Sequence, residues 1–294
     1  MRAEIIDGAA IARGVRTEVA HQAALLTERG TRPGLAVVLV GDDPASAVYV
    51  RMKRKACEEA GMHSVTVRLS ASTTQEELLA QVDVLNADPA IHGFLVQMPL
   101  PKHIDPDMVV RRIDPQKDVD GFHPVNVGKM LIGERDGFLP ATAAGVQELL
   151  ARSGVTTVGA DCVIVGRSNI VGKPMAALMV QNGPHANSTV TVVHSRTPDI
   201  ALHTRRADVL IVAAGKAGMV RGDMVKPGAV VVDVGTNRVA EQSAKGGHRL
   251  VGDVAFDEVR EVASRITPVP GGVGPMTIAM LLRNTIQAAE RAVG

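Results

Sequence analysis

One stretch of the chain has the residue types that hold a phosphate group. It runs from Cys162 to Met175, where an apolar strand pattern is followed by a tight turn and the start of a helix. A connection of this kind presents backbone N–H groups to a phosphate. Gly166 and Gly172 lie six positions apart, so the turn differs from the common G-x-G-x-x-G spacing. Arg167 and Ser168 add donors that suit a dinucleotide with an additional phosphate.

The end of the next strand pattern, Thr189–Val193, indicates which dinucleotide is bound. Sites that prefer NAD place an acidic side chain there, where it holds the ribose hydroxyls. Here the strand is followed by His194, Ser195, Arg196 and Thr197. A hydroxyl and a guanidinium in place of a carboxylate favour a ribose 2′-phosphate, and the sequence therefore predicts NADP. The alternative is that these residues only cap the following helix.

Two later loops also follow apolar strand patterns. They are Ala213–Lys216, which contains Gly215, and Asp233–Asn237, which contains Thr236. Because ligands bind at the carboxyl ends of parallel strands, we expect both loops to line the nicotinamide side of the cofactor. The alternative is a pair of ordinary glycine turns.

A second group of candidate residues lies upstream. Tyr49 and Lys53 are four positions apart on a predicted helix and so share a face, although a solvated, charged surface helix is the alternative. Gln97 ends an apolar strand pattern just before Met98-Pro99-Leu100-Pro101, which is typical of a ligand position. Asp120 lies in a loop with two carboxylates, for which an Asx-type turn is the alternative.

A glycine-rich loop precedes the last predicted helix. It reads Pro270-Gly271-Gly272-Val273-Gly274-Pro275, which is too stiff for a simple linker. Its glycines allow the backbone to approach a ligand, and Pro275 suits the first turn of a helix.

Composition excludes several classes of protein. The 294 residues are 46% hydrophobic and 21% charged, which is enough for a substantial core. A net charge of +1 and only 2% aromatic residues argue against nucleic-acid binding. Cys57 and Cys162 are predicted to be buried, reduced thiols, and the histidines lack a metal-ligand spacing, so no metal is expected. The absence of a long apolar run or signal core predicts a soluble, cytoplasmic protein without membrane contact.

Strand and helix patterns alternate along the chain. A first series has strands at Leu35–Val40, Ser64–Leu69 and Ile91–Val96, and the stretch Asp114–Gly133 reads as loops. A second, Rossmann-type series begins near Val163. We predict an α/β fold with parallel sheets and two domains, an N-terminal α/β domain and a Rossmann-type domain, with an active-site cleft between them. The predicted boundaries are 1–140 plus 275–294 for the first domain and 141–274 for the second.

Together these residues resemble a known family across essentially the full length of the chain, the bifunctional methylenetetrahydrofolate dehydrogenase/methenyltetrahydrofolate cyclohydrolases. The matching segments are Tyr49–Cys57, Gly93–Pro101, Lys117–Phe122, Gly166–Pro174 and Ile266–Thr277. Two departures from the family pattern are Pro140-Ala141-Thr142-Ala143, where the family usually has Pro-Cys-Thr-Pro, and Thr236, where it usually has Ile.

The resemblance implies roles for the candidate residues. Lys53 would be the main catalytic residue with Gln97 beside it, and Tyr49 would pack on the folate. Asp120 would bind the pterin ring. The cofactor-binding residues would be Gly166, Arg167, Ser168, Ile170, Ser195, Arg196, Gly215, Thr236 and Gly274. Pro270, Gly271 and Gly272 would border the folate.

The implied activity has two steps in one-carbon metabolism. NADP would oxidise 5,10-methylenetetrahydrofolate to the methenyl compound, and hydrolysis would then give 10-formyltetrahydrofolate. The resemblance also implies a homodimer. Two alternatives are a dehydrogenase without the hydrolytic step and a non-catalytic dinucleotide-binding regulator.

Overall fold

The computed structural model describes residues 2–241 and 247–293. The helices are α1 Gly8–Glu28, α2 Pro44–Glu59, α3 Gln75–Ala87, α4 Pro106–Arg112, α5 Pro124–Ile132, α6 Ala141–Arg152, α7 Gly172–Met179, α8 Ile200–Thr204, α9 Phe256–Arg260 and α10 Val273–Ala292. The strands are β1 Glu4–Ile5, β2 Gly34–Val40, β3 His63–Leu69, β4 Gly93–Val96, β5 Asp161–Val165, β6 Thr189–Val193, β7 Val209–Val212, β8 Val230–Asp233, β9 Asn237–Ala240, β10 His248–Val251 and β11 Arg265–Ile266.

The chain divides into two compact units. The three-stranded unit comprises Arg13–Ala141 and the chain from Ile278 onward, and its sheet has the order β3-β2-β4. All seven residues of β2 are buried, because this central strand is covered on both faces. The strands are parallel, as the alternation of strands and helices predicts.

The six-stranded unit comprises the residues up to Ala12 and Thr142–Thr277. Its parallel sheet has the order β1-β11-β8-β7-β5-β6, and β9 and β10 form a separate antiparallel pair. The chain reverses its direction of winding between β5 and β7, and parallel sheets bind ligands at such a switch point. The predicted α/β class with a Rossmann-type sheet is confirmed.

Two parts of the fold differ from the sequence-based expectation. The stretch Asp114–Gly133 was expected to be loops, but it contains α5, which begins at Pro124 after the N-cap His123 and ends at Gly133 in the left-handed conformation. The first residues were assigned to the N-terminal domain, whereas β1 pairs with β11 in the six-stranded unit. Neither β1 nor α1 had been predicted. For β1 the reason is that a two-residue strand has no periodicity to detect.

Candidate active site

Lys53 lies on the buried face of α2. The N-cap Asp43 accepts a hydrogen bond from the Ser46 N–H, and Pro44 occupies the first turn. From this start, Lys53 falls in register with Val50 and Cys57 on the inner face, and it is only 7% exposed. A buried lysine is rare without a specific reason. The prediction of a purely solvated charged helix is therefore wrong at this position.

The other cations of the same run have ordinary surface roles. Arg54 pairs with Glu58 at 3.4 Å and Lys55 pairs with Glu59 at 3.6 Å, both one helical turn apart. Exposed pairs of this kind contribute about 0.3–0.5 kcal/mol each to helix stability. The charged run thus divides by helical position into three exposed cations, Arg51, Arg54 and Lys55, and one buried amine, that of Lys53.

Gln97 contacts Lys53 directly. Its backbone N–H donates to the Val38 carbonyl, so it follows β4 in the sheet. Its side-chain N–H donates to the Met98 carbonyl at 2.8 Å, which leaves Oε1 to accept from Lys53 Nζ at 3.2 Å. The amide orientation is therefore determined by two partners. The expected proximity of Gln97 and Lys53, 44 positions apart, is seen in the structure.

Asp120 is close enough to Lys53 for their charges to interact. Burial lowers the pKa of Lys53, and the Asp120 carboxylate partly opposes this shift. Burial likewise raises the pKa of Asp120, with Lys53 opposing. A near carboxylate favours the charged amine, but burial remains the larger influence on the pKa of Lys53.

Tyr49 lies one turn before Lys53 and differs from it in exposure. Its side chain is 41% exposed, so the ring offers an apolar face to a ligand without filling the core. Together, Tyr49, Lys53, Gln97 and Asp120 all belong to the three-stranded unit.

Asp118 has the structural role that an Asx-type turn predicts for this loop. Its carboxylate accepts from the N–H groups of Phe122 and His123 at 3.3 and 2.7 Å, and from the Asn126 amide at 2.9 Å. Burial raises the pKa of Asp118 to about 6 although these three donors favour the charged form. The two carboxylates therefore have different roles, since Asp118 organises the loop, whereas the charge of Asp120 acts on the pKa of Lys53.

The turn between β5 and α7, which has the residue types of a phosphate-binding turn, is formed by close backbone contacts within the six-stranded unit. Gly166 has a φ of +122°, and a Cβ there would overlap the carbonyl oxygen of Ala213 at the end of β7. A Cβ on Gly172 would overlap the Gly166 carbonyl. Ser168 Oγ accepts from the Val171 N–H at 3.1 Å at the start of α7. The glycines thus allow a turn at the switch point of the sheet that bulkier residues would prevent.

Side chains around this turn face solvent. Arg167, Ser168 and Ile170 are exposed, and so are Ser195 and Arg196 after β6. The turn after β6 is closed by a hydrogen bond between the residues that flank Ser195 and Arg196, in which the His194 N–H donates to Thr197 Oγ1 at 3.0 Å. The N-cap of α8 is Asp199. The interpretation of Ser195-Arg196-Thr197 as a mere helix cap is therefore wrong.

Two buried aspartates that sequence reasoning did not select organise the loops after β7 and β8. Asp253 Oδ2 accepts from the Ala214 and Gly215 N–H groups at 2.7 and 2.8 Å, and Oδ1 accepts from the Asn237 amide at 2.8 Å. Asp233 accepts from three further backbone N–H groups, those of Gly235, Asp253 and Val254. The signal that could have identified them is an Asp within two positions of a glycine in both segments.

The two aspartates also explain two glycines. A Cβ on Gly235 would overlap the Asp253 carboxylate, and a Cβ on Gly252 would overlap the Asp233 carboxylate. The two loops that carry Gly215 and the exposed Thr236 are therefore held in place by these buried carboxylates. The interpretation of Gly235 as an ordinary turn glycine is wrong.

Asp233 makes a pH-dependent contribution to stability. Burial raises its pKa to about 6, whereas an unfolded Asp titrates near 3.9. The stabilisation that Asp233 contributes is therefore fully present below about pH 4 and is lost as pH rises through 6. It adds at most about 3 kcal/mol to the free energy of unfolding. We expect the difference in unfolding free energy between wild type and Asp233→Asn to fall over this range in denaturant titrations.

The exposed Asp257→Asn serves as the control for that experiment, since it alters the same chemical group on α9 of the same unit. A wild-type-minus-variant difference for Asp233 that stays constant or grows with pH would contradict the burial argument.

The loop before α10 packs on the N-terminal segment of its own unit. The Ala9 N–H donates to the Gly271 carbonyl at 2.9 Å, and a Cβ on Gly8 would overlap the Gly272 carbonyl. Pro270 and Gly274 are exposed, and α10 begins at Val273, so Pro275 lies in its first turn as predicted.

The part of the chain that the structure describes has neither a metal-type cluster nor a helix able to span a membrane. Within residues 2–241 and 247–293, no three His, Cys, Asp or Glu side chains form a group that could hold a metal ion. No helix in this described part of the chain combines the length and apolar character needed to cross a membrane. Cys57 and Cys162 are buried and free, as predicted.

The fold and the turn define an α/β protein with a Rossmann-type dinucleotide-binding unit. Two family models together match most of the chain. The tetrahydrofolate dehydrogenase/cyclohydrolase catalytic domain matches residues 6–120, and the NAD(P)-binding domain of the same family matches residues 140–293. The chain therefore belongs to the tetrahydrofolate dehydrogenase/cyclohydrolase family.

Individual relatives agree with this assignment. The bifunctional protein FolD of Syntrophobacter fumaroxidans is 56% identical over 291 residues, covering 99% of this chain and 98% of the relative. A crystal structure of bifunctional FolD from Campylobacter jejuni matches with a TM-score of 0.93 at 49% identity, covering 98% of this chain and 99% of the other. The Trypanosoma brucei FolD structure, complexed with NADP and an inhibitor, matches with a TM-score of 0.94 at 47% identity, covering 100% and 99%.

Proposed function

We propose that this chain catalyses two consecutive reactions, the NADP-dependent oxidation of 5,10-methylenetetrahydrofolate and the hydrolysis of the methenyl product to 10-formyltetrahydrofolate. The observation that carries the proposal is the buried Lys53, whose amine contacts Gln97 and faces Asp120. A buried amine with a lowered pKa, an amide and a carboxylate form a site for proton transfer, which hydrolysis requires.

The first reaction depends mainly on alignment. When bound, NADP⁺ would supply the acceptor for a hydride from the bridging carbon, and the two neighbouring nitrogens of the folate would stabilise the resulting cation. The role of the chain is to hold the folate in place, with the Tyr49 ring against it and Asp120 on the pterin. The exposed ring and the polar carboxylate suit these two contacts.

The second reaction needs proton transfers. Water forms a bond to the methenyl carbon and loses a proton, which gives a carbinol. The C–N5 bond then breaks as the carbinol hydroxyl gives up its proton and N5 takes one up, which leaves the formyl group on N10. Lys53 moves the proton, because burial brings its pKa below that of a free lysine and closer to the working pH. Gln97 holds the Lys53 amine through Oε1.

NADP would be held in the six-stranded unit. The fit rests on the turn at Gly166, which admits no Cβ, and on the exposed donors around it. Arg196 and Ser195 would bind the 2′-phosphate, with Arg167 and Ser168 on the neighbouring turn. Ile170, Gly215, Thr236 and Gly274 would line the remainder of the cofactor. Pro270, Gly271 and Gly272 would border the folate.

The chain is further proposed to act as a cytoplasmic homodimer, without a nucleic-acid or membrane partner. The near-neutral net charge and the paucity of aromatic residues support the last point. Sedimentation of the purified protein measures the oligomeric state.

One assay series tests the proposed function. The purified chain is given methylenetetrahydrofolate with NADP⁺ or NAD⁺, and NADPH formation is followed by loss of the methenyl compound. We expect both events, with NADP⁺ preferred. NADPH formation without hydrolysis would leave only a dehydrogenase, and no NADPH at all would support a non-catalytic regulator.

Asp120→Ala is expected to weaken folate binding. Losing a hydrogen-bonding carboxylate costs about 1.5–3 kcal/mol, so KM for methylenetetrahydrofolate should rise about ten- to hundredfold with NADP affinity unchanged. Because Asp120 opposes the lowering of the Lys53 pKa, the pH profile of hydrolysis should also shift to lower pH. Steady-state kinetics across pH measures both effects.

The control is Asp136→Ala, which removes an exposed carboxylate paired with Lys129 in the same unit. Equal losses of folate and NADP binding in Asp120→Ala would instead indicate a structural role for Asp120.

A further inference from the structure

The last helix carries a buried amide that touches the turn of Asp120. Asn284 lies in α10 and is 5% exposed, between the fully buried Leu281 and Thr285. Asparagine is a weak helix former, and burying an amide is costly unless it is hydrogen-bonded. Its presence on the inner face of this helix therefore calls for specific partners.

Those partners are two backbone carbonyls in different segments. Asn284 Nδ2 donates to the Val119 carbonyl at 2.8 Å and to the Leu139 carbonyl at 3.0 Å. Val119 immediately precedes Asp120. The amide orientation is unambiguous, because only the NH₂ group can donate to two carbonyl oxygens.

The segments that contain Val119 and Leu139, which Asn284 joins, are also in close contact with each other. Gly121 has a φ of +76°, and a Cβ there would lie 2.5 Å from the Leu139 carbonyl carbon. The Ala141 N–H approaches the Asp120 carbonyl at 3.4 Å. Asp118 holds the other side of the turn through Phe122 and His123. The backbone of Asp120 is thus fixed by Asp118 from within the loop and by Asn284 from the last helix.

We infer that Asn284 is a positioning residue for Asp120, so that the amide on α10 sets where the Asp120 carboxylate meets the folate. This inference rests on the proposed role of Asp120 in folate binding. Asp118 shapes the turn locally, whereas Asn284 anchors it to an element more than 140 positions away in the chain.

A double-mutant cycle tests the inference. Asn284→Leu keeps the number and branching of the side-chain heavy atoms and removes both hydrogen bonds, and KM for methylenetetrahydrofolate should rise roughly tenfold. In an Asp120→Ala background the same change should alter KM less than about twofold, since residues that act through one another are non-additive. An equal factor in both backgrounds would overturn the inference.

Thr285→Val is the matched control. Thr285 is fully buried on the same helix, and its hydroxyl donates to the Leu281 carbonyl at 2.9 Å, within α10. Thr285→Val should lower thermal stability about as much as Asn284→Leu does, but it should leave KM for methylenetetrahydrofolate unchanged. A matching rise in KM would show that general destabilisation explains the effect. If Asn284→Leu does not fold, Asn284→Ser, which retains one donor, replaces it in the cycle.

Amide hydrogen exchange separates this inference from the proposed function. Exchange at Gly121 and Phe122 should become faster in Asn284→Leu and remain unchanged in Thr285→Val, because the turn opens locally. Unchanged exchange in Asn284→Leu would overturn the inference. If exchange becomes faster in Asn284→Leu but Asp120→Ala leaves KM for methylenetetrahydrofolate unchanged, the role of Asp120 in folate binding is refuted. The anchoring of the turn by Asn284 then still stands.

Discussion

Lys53→Met is expected to abolish hydrolysis of the methenyl compound while the fold and NADP binding persist. General acid–base groups contribute about 10²–10⁴-fold to rates, and the thioether that replaces the amine carries no transferable proton. The fold should tolerate the change because Lys53 lies on the buried face of α2, where an apolar side chain of similar length removes a costly buried charge. The measurement is the rate of methenyl loss without nicotinamide cofactor, with thermal unfolding of the same preparation.

Lys55→Met provides the matched control for this loss. Lys55 lies on the same helix, but it is exposed and paired with Glu59 at 3.6 Å, so its loss should leave hydrolysis within about twofold of wild type. Hydrolysis at a normal rate in Lys53→Met would show that the proton transfer belongs to another group.

Arg196→Gln is expected to reverse the preference for NADP. A charge-assisted contact to phosphate contributes about 1.5–3 kcal/mol, so KM for NADP should rise about ten- to hundredfold while KM for NAD changes little. The side chain is free for this role, since the turn after β6 is closed by His194 and Thr197 and α8 is capped by Asp199. Steady-state kinetics with both cofactors measures the ratio.

Arg206→Gln removes the same charge from the same unit. Its guanidinium donates to Thr191 Oγ1 on β6 at 2.8 Å, so it has a structural partner of its own. It should leave the cofactor preference unchanged. If Arg196→Gln weakened NAD and NADP equally, Arg196 would not be reading the 2′-phosphate.

The regular parts of the fold were predictable because their signals are local. The apolar run of β2 is found as expected, and the start of α3 also has a local signal, the capping box of Thr74 and Glu77. The helix α5 was missed because Pro124 and Gly128 suggest loops, although proline is well suited to a first helical turn. A two-residue strand such as β1 has no detectable pattern.

The residues of the candidate site were predictable from the sequence, but the side chains that hold its loops in place were not. Lys53 and Gln97 were selected from spacing and strand ends, and the structure brings them within 3.2 Å. Asp253 and Asn284 were not selected, because their roles are hydrogen bonds to backbone groups that are distant in sequence. Such partners depend on the packed chain and leave no periodic signal.

The central claim is that the Lys53 group and the Gly166 turn serve one folate and one cofactor. A crystal structure of Lys53→Met with methylenetetrahydrofolate and NADPH, a pair that cannot exchange a hydride, tests this, because the variant should retain both ligands. The account predicts a folate that contacts Asp120 and Gln97, with its bridging carbon about 3–3.5 Å from the nicotinamide carbon that receives the hydride. A folate bound away from Asp120, or a cofactor whose nicotinamide is out of reach of the bridging carbon, would contradict it.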